Sequence, residues 1–146
     1  MIVGFFGHSE LLKTDEIEKE LRALADRVIG NREVEFWLGT YGAFDRLSCR
    51  MARNFKKSHA SARLVLVPPY LDSYAVCKEH SLYDALLYPP IEAVPKRLAI
   101  LARNRYVARN ADVIFAYVEY AFGGAAKALA EARRAKKIIY NLAEIQ

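Results

Sequence analysis

The chain has 146 residues, 53% of them hydrophobic and 27% charged, the make-up of one folded domain with its own core, which excludes wholesale disorder. Its 22 Lys and Arg against 17 Asp and Glu leave a formal charge of +5, too mild for a protein that coats duplex nucleic acid but favourable to an anionic guest. Two cysteines, Cys49 and Cys77, make neither a disulfide framework nor a metal quartet, and no apolar run approaches the ~20 residues of a spanning helix, so the reading is a cytoplasmic protein with no metal, no cofactor and no membrane partner.

Ile2-Val-Gly-Phe-Phe6, ending at Gly7, has the pattern of a buried strand. Thr14 precedes Asp15, Glu16 and Glu18, carboxylates that suit the positive end of a helix. Ile17, Leu21, Leu24 and Val28 continue it as one apolar stripe, which Gly30-Asn31 stops. Glu33–Leu38 reads as the second strand and Gly39-Thr-Tyr-Gly42 as a loop. Phe44, Leu47, Met51 and Phe55 form a second helical stripe, with Arg46, Arg50, Arg53 and Lys57 on roughly the opposite side. Ala62–Val67 is the third strand, closed by Pro68-Pro69. Residues 70–95 are irregular, with Tyr83–Tyr88 as a short strand. Pro95 opens a helix that runs to about Asn110. Asp112–Tyr117 is a strand, Gly123-Gly124 begins an alanine-rich helix to about Arg134, and Lys137–Asn141 is the last strand. Strand and helix alternate throughout, which predicts a three-layer α/β domain, Rossmann-like and doubly wound, with a mainly parallel sheet spanning residues 1–146 as one unit.

Ligands of such a sheet bind outside the carboxyl ends of the strands, where strand order reverses. Two of the loops at those ends, Gly39–Asp45 and Val118–Ala125, carry glycines immediately before a helix. Glycine lets backbone N–H groups approach an anion, and the helix N-terminus adds a favourable dipole. Each pair also fits an ordinary strand-to-helix turn. No Gly-Lys-Ser/Thr follows either loop, and neither spells Gly-x-Gly-x-x-Gly, which disfavours an ordinary P-loop NTPase or nicotinamide dehydrogenase.

Gly7-His8, Gly39-x-x-Gly42-x-Phe44-Asp45, Val67-Pro-Pro-Tyr70, Tyr83-Asp84 with Tyr88-Pro89, Pro95 leading to Arg103-Asn104-Arg105, and Gly123-Gly124-Ala125 with Lys127 occur in this order. Together they resemble the SLOG superfamily, most closely its small stand-alone bacterial and phage branch of unknown function. The resemblance implies a modified Rossmann fold for nucleotides or nucleotide-derived ligands. It also implies relatives as different as lonely-guy phosphoribohydrolases, DNA-processing protein A and sensors of cyclic nucleotide-like signals. Fold alone therefore does not settle activity. Lonely-guy enzymes resemble one another in Pro-Gly-Gly-x-Gly-Thr-x-x-Glu, where the glutamate supports glycosidic cleavage. Here the stretch is Phe122-Gly-Gly-Ala-Ala-Lys-Ala-Leu129, without that threonine or glutamate, and Glu131 lies too far along. Glu10, Asp45 and Glu119 are the substitutes available at strand ends.

The expected function is sensing or sequestering a phosphate-containing nucleotide derivative. Gly7, Gly39, Gly42, Gly123 and Gly124 would allow backbone approach. Thr40 would add a hydroxyl, Lys127 and Arg103 a charge, and Tyr41, Phe44, Tyr70, Tyr117 or Tyr120 a ring for the base, each of which also fits core or rim packing. His8 either donates to a phosphate, acts as an acid or bonds the adjacent loops. Asp45 either holds a ribose hydroxyl or favours the helix dipole. Arg103 and Arg105 point about 200° apart, so at most one faces a given site. The alternatives are an N-glycosidic hydrolase of nucleoside monophosphates and single-stranded nucleic-acid binding through the Arg46–Lys57 face. Relatives of this fold pair, which extends to this chain the expectation of a homo-oligomer. His59, His80 and both cysteines read as structural or incidental.

Overall fold

A central parallel strand is covered on both faces and reads as an unbroken apolar run, and β1 (Ile2–Gly7) is such a strand. Val3 and Phe5 turn to one face of the sheet and Phe6 to the other, each almost fully buried. The structure, a computed structural model, describes residues 1–71 and 82–144; Cys77 and His80 lie outside the described residues.

The chain then runs through α1 (Thr14–Ile29), β2 (Glu35–Leu38), α2 (Ala43–Ser58), β3 (Arg63–Leu66) and β4 (Ala85–Leu86). A 3-10 turn at Lys96–Leu98 leads into α3 (Ala99–Asn110), followed by β5 (Val113–Tyr117), α4 (Gly124–Arg134) and β6 (Ile138–Asn141). Every strand pair is parallel, in the order β4-β3-β2-β1-β5-β6. The chain thus winds outward from β1 in one direction through β4, then crosses over to wind the other way through β5 and β6. The reversal falls between β1 and β5, which stay in register up to Gly7 opposite Tyr117.

The pleat sends alternate side chains to two separate cores. On one face α1 and α2 cover Phe5, Phe36, Leu38 and Phe115; the Phe5 ring lies 5.9 Å from Phe36, 6.5 Å from Phe44 and 5.8 Å from Phe115. On the other face α3 and α4 cover Phe6, Trp37, Val65 and Ile114. Burial of each such side chain stabilises the fold by about 1.5–3 kcal/mol. β1 can pass so close to α3 only because Gly4 lacks a side chain: a Cβ there would sit 2.7 Å from Val107 Cγ1.

The observed elements trim several expectations. Thr14 is the first residue of α1 rather than its cap, since the preceding Lys13 takes a left-handed φ of 54° and no side chain caps the helix. β2 starts at Glu35 instead of Glu33, the Tyr83–Tyr88 strand shrinks to Ala85–Leu86, and Pro95 opens a 3-10 turn before the α-helix proper.

Candidate functional site

At the carboxyl ends of β1 and β5 the loops part around a cleft of about 1070 Å³. Small-molecule sites commonly occupy about 300–1,000 Å³, so this one lies at the upper end. Its walls are the β1–α1 loop, the Gly39–Tyr41 segment after β2, the Glu119–Gly123 loop with the first turn of α4, and Ile100, Arg103 and Asn104 of α3.

His8 ties the two central strand ends together. Its Nε2 accepts the backbone N–H of Glu119 at 2.8 Å, a geometry that places the ring proton on Nδ1. The ring centroid lies 5.3 Å from Tyr120, which stacks in turn on Phe122 at 5.4 Å. Across β6, the Asn141 side-chain amide satisfies both the N–H and the carbonyl of Val118, at 3.0 and 3.1 Å. Of the three readings of His8, this geometry matches the loop-bonding one. His8→Ala leaves the Glu119 amide without its partner and is expected to cost about 1 kcal/mol, read from urea unfolding.

The Gly39–Asp45 loop is built mainly for its own packing. The first amides of α2 are already used, Ala43 N–H donating to Ser9 O at 2.8 Å and Phe44 N–H to His8 O at 3.2 Å. Gly42 has a φ of 99°, and a Cβ there would come within 2.6 Å of Ser9 Cα. Its glycine therefore serves the contact of two loops, and Gly42 does not line the cleft. Gly39 does line it, and a Cβ on Gly39 would lie 2.5 Å from Asp45 Oδ2 and 3.2 Å from Arg103 Nη2. Asp45 Oδ2 accepts the Tyr41 N–H at 2.9 Å, while Arg103 donates from Nε to Val67 O at 2.8 Å and from Nη1 to Asn104 Oδ1 at 3.0 Å. Burial pushes the Asp45 carboxyl above its ordinary value, against the pull of Arg103 and the Tyr41 amide. Burial likewise draws the Arg103 guanidinium down, with Asp45 opposing.

The second glycine loop is different. Gly123 has a φ of 93°, no side chain caps α4, and its first turn holds no carboxylate. A Cβ at Gly123 or Gly124 would meet nothing within 4 Å. Both glycines and Ala125 line the cleft, so this helix N-terminus presents its amides and its dipole to the open space.

The remaining expected site residues divide. Gly7, Thr40 and Tyr117 line the cleft. The Tyr117 hydroxyl donates to Glu119 Oε1 at 3.3 Å, and burial, then the Glu119 charge, raise its pKa. Phe44 is corrected: it is the first residue of the buried α2 stripe, packed against Gly7 and Phe5, and offers no face to a ligand. Tyr70 stands outside the cleft lining with Lys96 Nζ 5.0 Å from its ring centroid. Lys127 is exposed on α4 and does not line the cleft. Arg105 turns away from Arg103, as their spacing requires, and pairs with Glu131 at 3.3 Å. Glu131 does not line the cleft.

Charge is what the motifs did not disclose. Glu10, Glu16, Glu20, Asp45, Glu119 and Glu144 line the cleft, against Lys13 and Arg103. The excess cations lie elsewhere, among them the α2 face, where Arg50 is paired with Glu18 at 2.8 Å and Arg53 Nε donates to Cys49 O at 3.4 Å. Tyr120, Phe122, Tyr41, Leu12 and Ile100 form an apolar rim on the same cleft, and they are half of the ten large hydrophobics exposed among the described residues. His59 stacks on Phe55 at 3.8 Å, and Cys49 is buried beside Gly39 O and Tyr83 Oη, both structural placements.

No protein-family model and no curated protein matches the sequence. Solved structures do match. The chain is similar to TM1055, a structural-genomics target, with a TM-score of 0.63 and 16% identity over 94% of this chain and 71% of that one. It is similar to DNA processing protein A from Streptococcus pneumoniae, with a TM-score of 0.68 and 14% identity over 95% of this chain and 49% of that one. The same protein from Helicobacter pylori, described for its single-stranded DNA binding mode, gives 0.64 and 16% over 95% and 63%. This chain thus spans 49% and 63% of the two DNA processing proteins. Identities this low assign the fold alone, the Rossmann-like parallel α/β fold described above.

Proposed function

We propose that the chain binds a phosphate-containing nucleotide or nucleotide-derived ligand in the cleft between β1 and β5, sensing or sequestering it. The observation that carries this reading is the N-terminus of α4: uncapped, free of carboxylates in its first turn, opened by two glycines with space around them, and turned toward the cleft. A phosphate there accepts several backbone N–H bonds and meets the positive end of the helix dipole. Tyr117, Thr40 and the aromatic rim then lie within the same cleft for the sugar and base.

Calorimetry against mono-, di- and cyclic nucleotides tests the reading, and Gly124→Asp locates the phosphate. An added side chain at Gly124 meets no atom within 4 Å, and a carboxylate in the first turn of a helix favours its dipole. The variant is therefore expected to stay folded, with an unchanged or higher Tm, while its own charge excludes the phosphate and weakens binding about tenfold. No nucleotide binding by the folded parent, or equal binding by the variant, overturns the proposal.

The carboxylates in the cleft support a second reading, hydrolysis of a nucleotide's N-glycosidic bond with Glu10 or Glu119 beside an oxocarbenium-like centre. Base released from a nucleoside monophosphate, and lost in Glu119→Gln, would establish it; an intact nucleotide after prolonged incubation removes it.

A further inference from the structure

We propose that the cleft receives a second copy of this chain, through the basic turn that joins α4 to β6, so that copies associate head to tail. The proposal is independent of the phosphate reading above and stands whether or not the cleft also takes a nucleotide.

Charge is divided between the two ends of the domain. Asp45 and Arg103 both sit beside Gly39 and oppose one another's charge. That leaves Glu10, Glu16, Glu20, Glu119 and Glu144 around the cleft against Lys13. Among the described residues none of these five glutamates is in an ion pair. A chain of net charge +5 therefore carries its excess cations away from the cleft. α4 starts at the cleft and, running against the strands, ends about 16 Å away near the amino end of β6. There Arg133, Arg134, Lys136 and Lys137 follow one another with only Ala135 between them. Arg134 reaches Glu131 at 3.5 Å, whereas Arg133, Lys136 and Lys137 have no ion-pair partner among the described residues.

The turn is already formed. Lys137 N–H donates to Ala132 O at 3.1 Å and Lys136 N–H to Arg133 O at 3.0 Å, the paired closure in which glycine usually takes the left-handed position. Here Lys136 takes it, with a φ of 57°, so a cation stands where the backbone favours glycine. A preformed turn loses little entropy on docking. Ile138, 58% exposed, follows directly. The cleft carries the matching pattern, acidic walls with Leu12, Tyr120 and Phe122 exposed on its rim, and exposed apolar side chains gathered in one place mark interaction sites. The cations of α2 fit less well. Arg50 is held by Glu18 and Lys56 by Asp84, and no large hydrophobic is exposed on that helix.

Cleft and turn lie at opposite ends of one chain, so the contact is heterologous and each added copy presents a new cleft. A contact made by one turn falls short of the ~800 Å² per partner of a stable complex, so association is weak. It also depends on salt, because charges attract over ~30 Å at 0.01 M ionic strength but only ~3 Å at 1 M.

Sedimentation over a range of protein concentrations, at ~0.01 M and ~1 M salt, tests the proposal. The parent is expected to exceed two chains in mass at low salt and to fall to one at high salt. Glu20→Lys with Glu144→Lys brings the cleft close to neutral, and Arg133→Glu with Lys136→Glu does the same to the turn. All four side chains are exposed, so both variants are expected to fold. Each alone is expected to stay monomeric. Mixed, they are expected to form a 1:1 complex that grows no further, the intact turn of the first in the intact cleft of the second. Lys136→Gly separates charge from fold: it relieves the left-handed φ, so Tm is expected to rise while association weakens about two- to fivefold, the range of one exposed ion pair. A parent that stays monomeric at low salt and high concentration overturns the proposal. So does an assembly that survives ~1 M salt, or one that both charge variants form unchanged, since either result assigns association to another surface.

Discussion

Replacing Arg103 by methionine is expected to destabilise the fold by about 2–3 kcal/mol, the cost of removing a buried charged donor from its acceptors. The side chain is 5% exposed, and its guanidinium joins three segments: Nε holds Val67 O at the end of β3, Nη1 holds Asn104, and Nη2 lies beside Gly39, where the Asp45 carboxyl also sits. Methionine fills part of the volume but leaves the Val67 carbonyl without this donor and the Asp45 carboxylate without its strongest counter-charge. Asp45 then responds to pH. Its folded pKa already lies above the ordinary 3.8 because of burial, so the folded state holds the proton over a range where the unfolded chain has lost it. Stability therefore falls as pH rises through that window. Removing Arg103 raises the upper edge of the window, and the variant is expected to lose more stability than the parent between acid and neutral pH. Urea unfolding at several pH values reads this slope. Asp45→Asn combined with Arg103→Met is expected to recover part of the loss by removing the stranded charge, which a double-mutant cycle measures. A single variant within about 1 kcal/mol of the parent at neutral pH would show that water, not Arg103, stabilises Asp45.

The parallel α/β fold was legible because its central strands are buried on both faces and so appear as apolar runs, while the helices carry one stripe each: Ile17, Leu21 and Leu24 on α1, Phe44, Leu47, Met51 and Phe55 on α2. These patterns are local. The order of strands is not, since nothing in Val113–Tyr117 states that it pairs with β1 rather than with β4. The site shows the same division. Glycines before a helix are readable, but whether their amides are free depends on what packs there. Gly42 and Gly123 look alike in sequence and in φ, yet only Gly42 has the Ser9 backbone against it. Asp45 and Arg103 each read as a ligand contact because their meeting at Gly39 requires α2 and α3, from opposite faces of the sheet, to converge at the end of β2. Glu16 and Glu20 sit one helical turn apart on α1, the spacing of a solvated face, and only the position of that face beside the β1 end makes them part of an acidic cleft.

Gly7→Ala is the severest small change the site offers. A Cβ at Gly7 would lie 2.2 Å from Phe44 Cγ, 2.5 Å from Cδ2 and 2.6 Å from Cβ. Phe44 cannot withdraw, because its ring is 1% exposed and packs on Phe5 within the core that α1 and α2 enclose. Either β1 or the start of α2 has to shift, at a cost of about 3 kcal/mol, the upper end for overpacking a filled core. The disturbance reaches the cleft through two bonds of the same junction, Phe44 N–H to His8 O and Ala43 N–H to Ser9 O, so ligand affinity is expected to fall along with Tm. Phe44→Ala placed on Gly7→Ala removes Cγ and Cδ2, the two nearest atoms, so the double variant is expected to lose less stability than the sum of the two single changes, read from thermal and urea unfolding. If Gly7 were instead a point of backbone approach to the ligand, the alanine variant would lose affinity at nearly parental stability and its effect would simply add to that of Phe44→Ala. The glycine that ends β1 is kept small by a phenylalanine of its own chain, and the double variant separates that cause from a ligand's.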